Sequence, residues 1–332
     1  MSKKERDFEN WEKNMQHYLF VHFKEKRTPD GEQIYFAVSK DGFTWESIND
    51  GQPVLWAMLN EKGVRDATIA RADNGKFYII ATDLSLSYMM RSVYNNNWHK
   101  VQREGSNCLM MWESEDLLHW SEEKALPVRD PGSGCCWAPD VIQDKKTGEF
   151  ILHWSSPQID NDMKMAIYYT KTKDFEHFSE AEILYAKEDS GVIDSCMVEE
   201  NGKFYLWVKS DRNPCAVIML ESDCITGPFK RRFEFDEEMN TLAGGPSAYE
   251  APTACRLENG GYNLFLDFFG AKGKGQGYVP FRSTDISSAV FKRADADFSY
   301  PYGFKHGTVL AITKEEYDSI KAFDYDAESY NR

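Results

Sequence analysis

Short runs rich in aromatic and β-branched residues, each entered through a Gly-centred turn, recur along almost the whole chain, and this pattern predicts strands. NGKFYIIATD at 74–83, TGEFILHWSS at 147–156, NGKFYLWVKSD at 201–211 and NGGYNLFLDFF at 259–269 each read as the turn and second strand of a hairpin. A second unit follows each of them, Ser or Thr, then Asp, then an aromatic residue a few positions on: WESEDLLHW at 112–120, TKTKDFEHF at 170–178, ESDCITGPF at 221–229 and RSTDISSAVF at 282–291. A fifth copy, VSKDGFTW at 38–45, follows the strand-like HYLFVHF at 17–23. Helical periodicity is confined to residues 3–16 and 314–322.

Repeats about 50 to 75 residues apart, without a Pro/Ser-rich linker, describe blades around an axis rather than independent domains. The expected fold is all-β: one five-bladed β-propeller of four-stranded antiparallel blades, a single catalytic domain over 1–332 with a short N-terminal extension at 1–16. The Asp of each second unit (Asp41, Asp116, Asp174, Asp223, Asp285) reads as a turn residue whose side chain bonds nearby backbone. The N-terminal strand at 17–23 and a C-terminal strand near 307–312 are expected to share one sheet and close the ring.

In a propeller, positions placed alike in successive repeats surround one axis, so residues distant in sequence meet. Asp66 lies nine residues before Gly75, Asp194 eight before Gly202 and Glu250 ten before Gly260, which gives three acidic residues one expected address, the start of a blade's first strand. Asp140 in WAPDV is one step out of that register; a single step on a strand reverses the side chain, so Asp140 reads as structural. Clustered carboxyls in an aromatic pocket suit glycoside hydrolysis, which needs one carboxyl to protonate the leaving oxygen and another to deprotonate water. Mutual repulsion and burial would keep one of them protonated near neutral pH.

Charge and composition narrow the field further. A net charge of −15 argues against nucleic acid or an anionic membrane as partner and is compatible with a neutral sugar. The first sixteen residues hold no apolar run resembling a signal peptide and no stretch of 18 apolar residues follows, so a cytoplasmic protein is expected. Seven cysteines without a CxxC read as buried reduced thiols. His17, His22, His99, His119, His153 and His177 show no zinc-hydrolase spacing, and the Gly-rich AKGKGQGY lacks the strand and helix context of a phosphate loop.

Several segments resemble glycoside hydrolase family 43, and the likeness spans essentially the whole chain: GVRDATIAR at 63–71, CWAPDV at 136–141, GVIDSCMVEENGKFYL at 191–206, YEAPTACRL at 249–257 and FKHGTVLAITKEEYDSI at 304–320. The resemblance implies an inverting hydrolase with Asp66 as general base, Asp194 as the modulator of the acid's pKa and Glu250 as general acid. It also implies that His306 faces the axial channel and contacts a hydrated calcium ion, with no organic cofactor. Ala67 stands where Pro commonly follows the base, and Ala251 where Gly commonly follows the acid.

Trp137 reads equally as a sugar platform or as a strut. Trp98, in the polar stretch YNNNWHK, is expected in a loop as a substrate wall, and Lys209 and Tyr278 are further candidates for lining the pocket. The expected activity is exo-acting α-L-arabinofuranosidase on plant-polysaccharide-derived oligosaccharides. β-Xylosidase comes second, then β-galactofuranosidase and endo-arabinanase. A catalytically inactive sugar-binding propeller or a protein-interaction propeller is the reading from a different class, but the repeats lack the GH…WD pattern.

Overall fold

The computed structural model describes residues 17–26, 28–129, 134–242, 244–270, 277–301 and 303–325. The extension expected at 1–16 and residues 271–276 of the Gly-rich loop lie outside the described residues. The chain runs as β1 (His17–His22), β2 (Tyr35–Ser39) and β3 (Trp45–Ser47), then β4 (Val64–Arg71), β5 (Phe77–Asp83), β6 (Cys108–Ser114) and β7 (Lys124–Pro127). There follow β8 (Trp137–Gln143), β9 (Phe150–Gln158), β10 (Lys164–Thr172) and β11 (Glu182–Tyr185), then β12 (Val192–Glu200), β13 (Lys203–Ser210), β14 (Ala216–Ser222) and β15 (Lys230–Arg231). The last strands are β16 (Tyr249–Arg256), β17 (Tyr262–Phe268), β18 (Gly277–Ser283), β19 (Lys292–Arg293) and β20 (Gly307–Ile312). They form five four-stranded antiparallel sheets, as expected for a five-bladed propeller.

Four sheets use strands in chain order; the fifth is β20-β1-β2-β3, with the last strand paired to the first from His17↔Ile312 to His22↔Gly307. The innermost strands β20, β4, β8, β12 and β16 are cyclic neighbours. Each gap between blades is filled by its own apolar cluster. Trp154, Phe150 and Phe175 of the β8–β11 blade pack with Tyr78 and Ile80 of the β4–β7 blade, and Trp207 packs across to Phe281 and Phe291 of the β16–β19 blade. Fully burying one such ring contributes roughly 1.5–3 kcal/mol, so the hydrophobic term is spread over the five interfaces.

A ring of hydrogen bonds repeats at one address on the inner strands. Thr68 Oγ1 donates to Asp140 Oδ1 (3.1 Å), Met197 N to Asp140 Oδ2 (3.0 Å) and Ala254 N to Cys196 Sγ (3.3 Å). Thr253 Oγ1 donates to Gly307 O (2.5 Å), and Thr308 Oγ1 completes the circuit at Ala67 O (3.2 Å). Asp140 is thereby a structural link between three blades. His153 and Ser195 stand in line with it, with His153 Nδ1 2.7 Å from Ser195 Oγ and His153 Nε2 3.7 Å from Asp140 Oδ2. All three are buried, so this Ser-His-Asp line is a strut and not a nucleophile.

Closure depends on close backbone approach. A Cβ on Gly307 would lie 2.0 Å from Val21 O, so any side chain there would push β20 off β1. Helix α3, labelled in order with α1 (Trp98–Glu104) and α2 (Phe233–Met239), spans Lys314–Ala322 and starts on a Thr313/Glu316 capping box. Arg71 donates to both oxygens of Glu316 (2.6 and 2.8 Å), and Lys321 to Glu46 (2.6 Å), tying the helix to the first and last sheets. In the turns, Asp41, Asp116, Asp174 and Asp285 accept from backbone N–H groups two or three residues on, whereas Asp223 pairs with Lys203. All seven cysteines are free, but Cys215 and Cys224 are exposed, contrary to the expectation of buried thiols; they lie in turns flanking β14. Among the described residues no helix is long and apolar enough to cross a membrane.

Removing residues from Phe304 onward deletes β20 and α3; the expected result is loss of the single cooperative thermal transition, read by circular dichroism. Replacing Asp140 by Ala strands a hydroxyl and an amide N–H, and should cost about 3 kcal/mol in denaturant unfolding while leaving the pH profile of activity in place.

Candidate active site

Each of four inner strands carries one residue in the left-handed region at the same place: Asp66 (φ 52°), Ala138 (φ 48°), Asp194 (φ 55°) and Ala251 (φ 53°). At each of these points the ladder slips, between Arg65 and Thr68, Trp137 and Asp140, Ile193 and Cys196, and Glu250 and Thr253. The extra residue is a β-bulge, which turns side chains out of the sheet face and toward the axis. Asp tolerates this conformation because its short polar side chain can bond locally. Ala has no such compensation, so Ala251 occupies a conformation that the glycine common in the resembling family adopts without penalty.

This register corrects the expectation of one shared address. Asp66 and Asp194 are the bulge residues of their blades, but Glu250 precedes its bulge residue and stands level with Arg65, Trp137 and Ile193. Counting back from the turn glycines crossed turns of unequal length, which hid the one-residue difference. Arg65, Asp66, Trp137, Ile193, Asp194 and Glu250 are all partly exposed in otherwise buried stretches at the strand starts, so the pocket floor is visible in their burial.

Opposite these residues, on the second strand of each blade, stand Thr82, Ser155, Lys209 and Asp267. Each lies seven residues after its turn glycine (Gly75, Gly148, Gly202, Gly260), a spacing legible in the sequence; of the four, only Lys209 is among the residues expected to line the pocket. Thr82 Oγ1 donates to Asp66 Oδ2 (3.1 Å) and accepts from Ala138 N (2.8 Å), and Ser155 Oγ accepts from Asp194 N (2.9 Å). Lys209 Nζ donates to Tyr249 O (2.7 Å) and Ser247 O (2.9 Å), the backbone entering Glu250. Asp267 is held by Lys305 Nζ at 2.7 and 3.0 Å.

The three carboxyls differ in electrostatic setting. Burial works to raise the Asp66 carboxyl, but His306, whose Nδ1 lies 3.3 Å from Asp66 Oδ1, together with Arg65 and Thr82, holds it below the usual range. Burial raises Asp194 to about 6, with His306 opposing and Asp66 adding to the rise. Burial also raises Glu250, to about 8, reinforced by Asp194 and Asp267 and opposed by Lys305 and Lys209. Near neutral pH one carboxyl therefore stays ionised while another keeps its proton. That is the division of labour acid–base hydrolysis requires.

The other candidates sort by contact. Trp98 and Trp137 come together edge to face, ring centroids 6.1 Å apart, with Trp98 47% exposed. Trp98 lies not in a loop but on the first turn of α1, where Asn97 Oδ1 accepts from His99 N (2.9 Å) and Lys100 N (3.3 Å); a seven-residue helix was too short for its periodicity to register. Buried Glu61 and Glu32 pin this insertion: Glu61 bonds Tyr94 and Ser85 N, and Glu32 accepts from Leu86 N and Ser87 N. Tyr278 does not line the pocket: its ring packs with Phe20 and Phe265, and its hydroxyl binds Thr253 Oγ1 (2.7 Å) and Ala251 O (3.2 Å), beneath the bulge. Lys209 likewise is 5% exposed with its ammonium on two carbonyls, placed to hold protein backbone and not a sugar hydroxyl.

His306 stands beside the base at the pocket floor, its Nδ1 3.3 Å from Asp66 Oδ1. Burial lowers its proton affinity, but the bond to Asp66 and the charges of Asp66, Asp194 and Asp267 outweigh that and favour the imidazolium. Among the described residues no group of three or more His, Cys, Asp or Glu is arranged to hold a metal.

Similar sequences and similar folds occur among known proteins. An α-L-arabinofuranosidase of Bifidobacterium longum subsp. longum is 27% identical over 223 residues, 60% of this chain; the match spans only 20% of that relative's length. A xylan β-1,4-xylosidase of Bacillus halodurans superposes with a TM-score of 0.61 at 14% identity, over 90% of this chain and 56% of that one. The catalytic domain of a Coprinopsis cinerea GH62 α-L-arabinofuranosidase does so with a TM-score of 0.52 at 14% identity, over 77% and 74%. Residues 13–318 match the profile of the family 43-related probable glycosyl hydrolase domain, and the chain belongs to that glycoside hydrolase family.

Proposed function

We propose that the chain is an inverting, exo-acting α-L-arabinofuranosidase acting on short oligosaccharides derived from plant polysaccharides. The observation that carries the chemistry is the opposed tuning of Asp66 and Glu250 around one pocket. The choice of sugar rests on the arabinofuranosidase from Bifidobacterium longum. The wall formed by Trp98 and Trp137 favours a pocket closed on one side, which suits removal of a terminal residue.

In this reading a water bound at Asp66 gives its proton to that carboxylate and attacks the anomeric carbon, while Glu250 protonates the departing oxygen from the opposite face. The new C–O bond forms as the glycosidic C–O bond breaks, and the configuration at carbon inverts. Asp66 gains a proton and Glu250 loses one; exchange with solvent restores both. Asp194 contributes charge between them, and His306 and Thr82 orient Asp66. Water and the two carboxyls suffice, so no organic cofactor enters.

Nitrophenyl α-L-arabinofuranoside should be cleaved in preference to the β-D-xylopyranoside and β-D-galactofuranoside. kcat/KM should fall as pH rises through about 8, where Glu250 loses its proton. Asp66→Asn should lower kcat on the order of 10³-fold on every substrate, and Glu250→Gln by a similar factor on arabino-oligosaccharides but much less on the nitrophenyl glycoside, whose leaving group needs no proton. Preference for the xyloside would make the protein a β-xylosidase. A folded protein inactive on all three would remove the exo-hydrolase reading.

Trp98→Ala should raise KM for an oligosaccharide about tenfold, the equivalent of about 1.4 kcal/mol, with kcat on the nitrophenyl substrate retained. An unchanged KM would take Trp98 out of the binding surface.

A further inference from the structure

Glu250 and Asp267 are direct cross-strand partners on β16 and β17. Opposed residues of an antiparallel pair have Cβ atoms about 4.5–5.5 Å apart, and like charges directly opposite destabilise a sheet. Asp267 is nonetheless buried, and both its oxygens lie on Lys305 Nζ, at 2.7 and 3.0 Å. Lys305 is itself buried and also reaches Glu25 Oε2 at 3.1 Å. No step of the hydrolysis above uses this ion pair. At the same address on the other blades stand Thr82, Ser155 and Lys209, which make their inter-blade links without a carboxylate.

We propose that Asp267, clamped by Lys305, is a positioning residue for the acid: a fixed negative charge behind Glu250 that holds the proton on that carboxyl until the glycosidic oxygen takes it. This rests on the assignment of Glu250 as general acid. The charged groups facing Glu250 are Asp194 from β12, Lys209 from β13, Asp267 from β17 and Lys305 ahead of β20. Those facing Asp267 are Lys305, His306, Glu25 and Glu250, with the Tyr278 hydroxyl on its other flank. Burial raises the proton affinity of Asp267, and Lys305, with its ammonium on both carboxylate oxygens, opposes that rise; at Glu250 the two act in opposite senses, Asp267 with the larger effect. Replacing Lys305 as well as Asp267 should therefore leave a smaller change of the same sign than replacing Asp267 alone.

The test is the pH dependence of kcat/KM on an arabino-oligosaccharide for the whole chain and for Asp267→Asn, Asp267→Asn/Lys305→Gln and Glu250→Gln. With the negative charge gone, Glu250 gives up its proton at lower pH, so the basic limb of Asp267→Asn should move down by about one pH unit. The double variant, which leaves no unpaired buried charge and so is the safer fold, should show a smaller shift in the same direction. A basic limb unchanged in either folded variant, with Glu250→Gln inactive, overturns the role of Asp267 alone. An active Glu250→Gln with its basic limb intact overturns the assignment of the acid, and with it this inference. A purely structural Asp267 would lower stability without moving the limb.

Discussion

The architecture of the pocket depends on one backbone constraint, the left-handed residue that interrupts an inner strand near its start. Four strands accept it at Asp66, Ala138, Asp194 and Ala251. Each non-glycine residue in that region costs roughly 1–2 kcal/mol. Strain of that kind persists where the surroundings fix it, and here the girdle of hydrogen bonds from Thr68 round to Thr308 does so. The bulge breaks the ladder where it starts, and the girdle just beyond it joins the blades again. Side chains freed from the sheet converge on the axis, while the backbone that carries them stays locked to both neighbouring blades.

Concentrating carboxyls in a partly dry pocket creates an electrostatic problem, and the closing segment meets it. Lys305 and His306 are adjacent just ahead of β20, yet their side chains reach different carboxyls. Lys305 serves Asp267, behind the acid; His306 serves Asp66, the base. Lys209 contributes a third cation from the β12–β15 blade, held on the carbonyls before Glu250. Three positive groups thus divide the acidic cluster into members that keep a proton and members that do not.

The blade count, the turn aspartates and the pairing of the chain's two ends were legible because they depend on local signals: Gly-centred turns, Ser-x-Asp motifs and aromatic strand patterning. Asp66, Asp194 and Glu250 were legible as a group but not in their true register, because hairpin turns of two to six residues separate the glycines from the bulges. Measuring forward along the second strand, where no turn intervenes, would have aligned Thr82, Ser155, Lys209 and Asp267 without error. Tyr278 looked like a pocket residue because it lies beside a Gly-rich loop, yet strand pairing with Asp267 directs its ring into the core. Ion pairs such as Lys305 with Asp267 join blades four and five, and pairwise geometry of that kind has no local sequence signature.

The strand that closes the ring is also the last of the described strands to be made. Until it emerges during synthesis, Gly307 is not seated on β1, and Asp66 and Asp267 have neither His306 nor Lys305 beside them. The growing chain therefore carries a cluster of mutually repelling carboxylates with an open seam, and the same few residues zip the seam and quench the repulsion together. Electrostatic relief and topological closure therefore depend on one and the same segment, and a chain lacking it would hold all three acidic residues without the field that sets them to work.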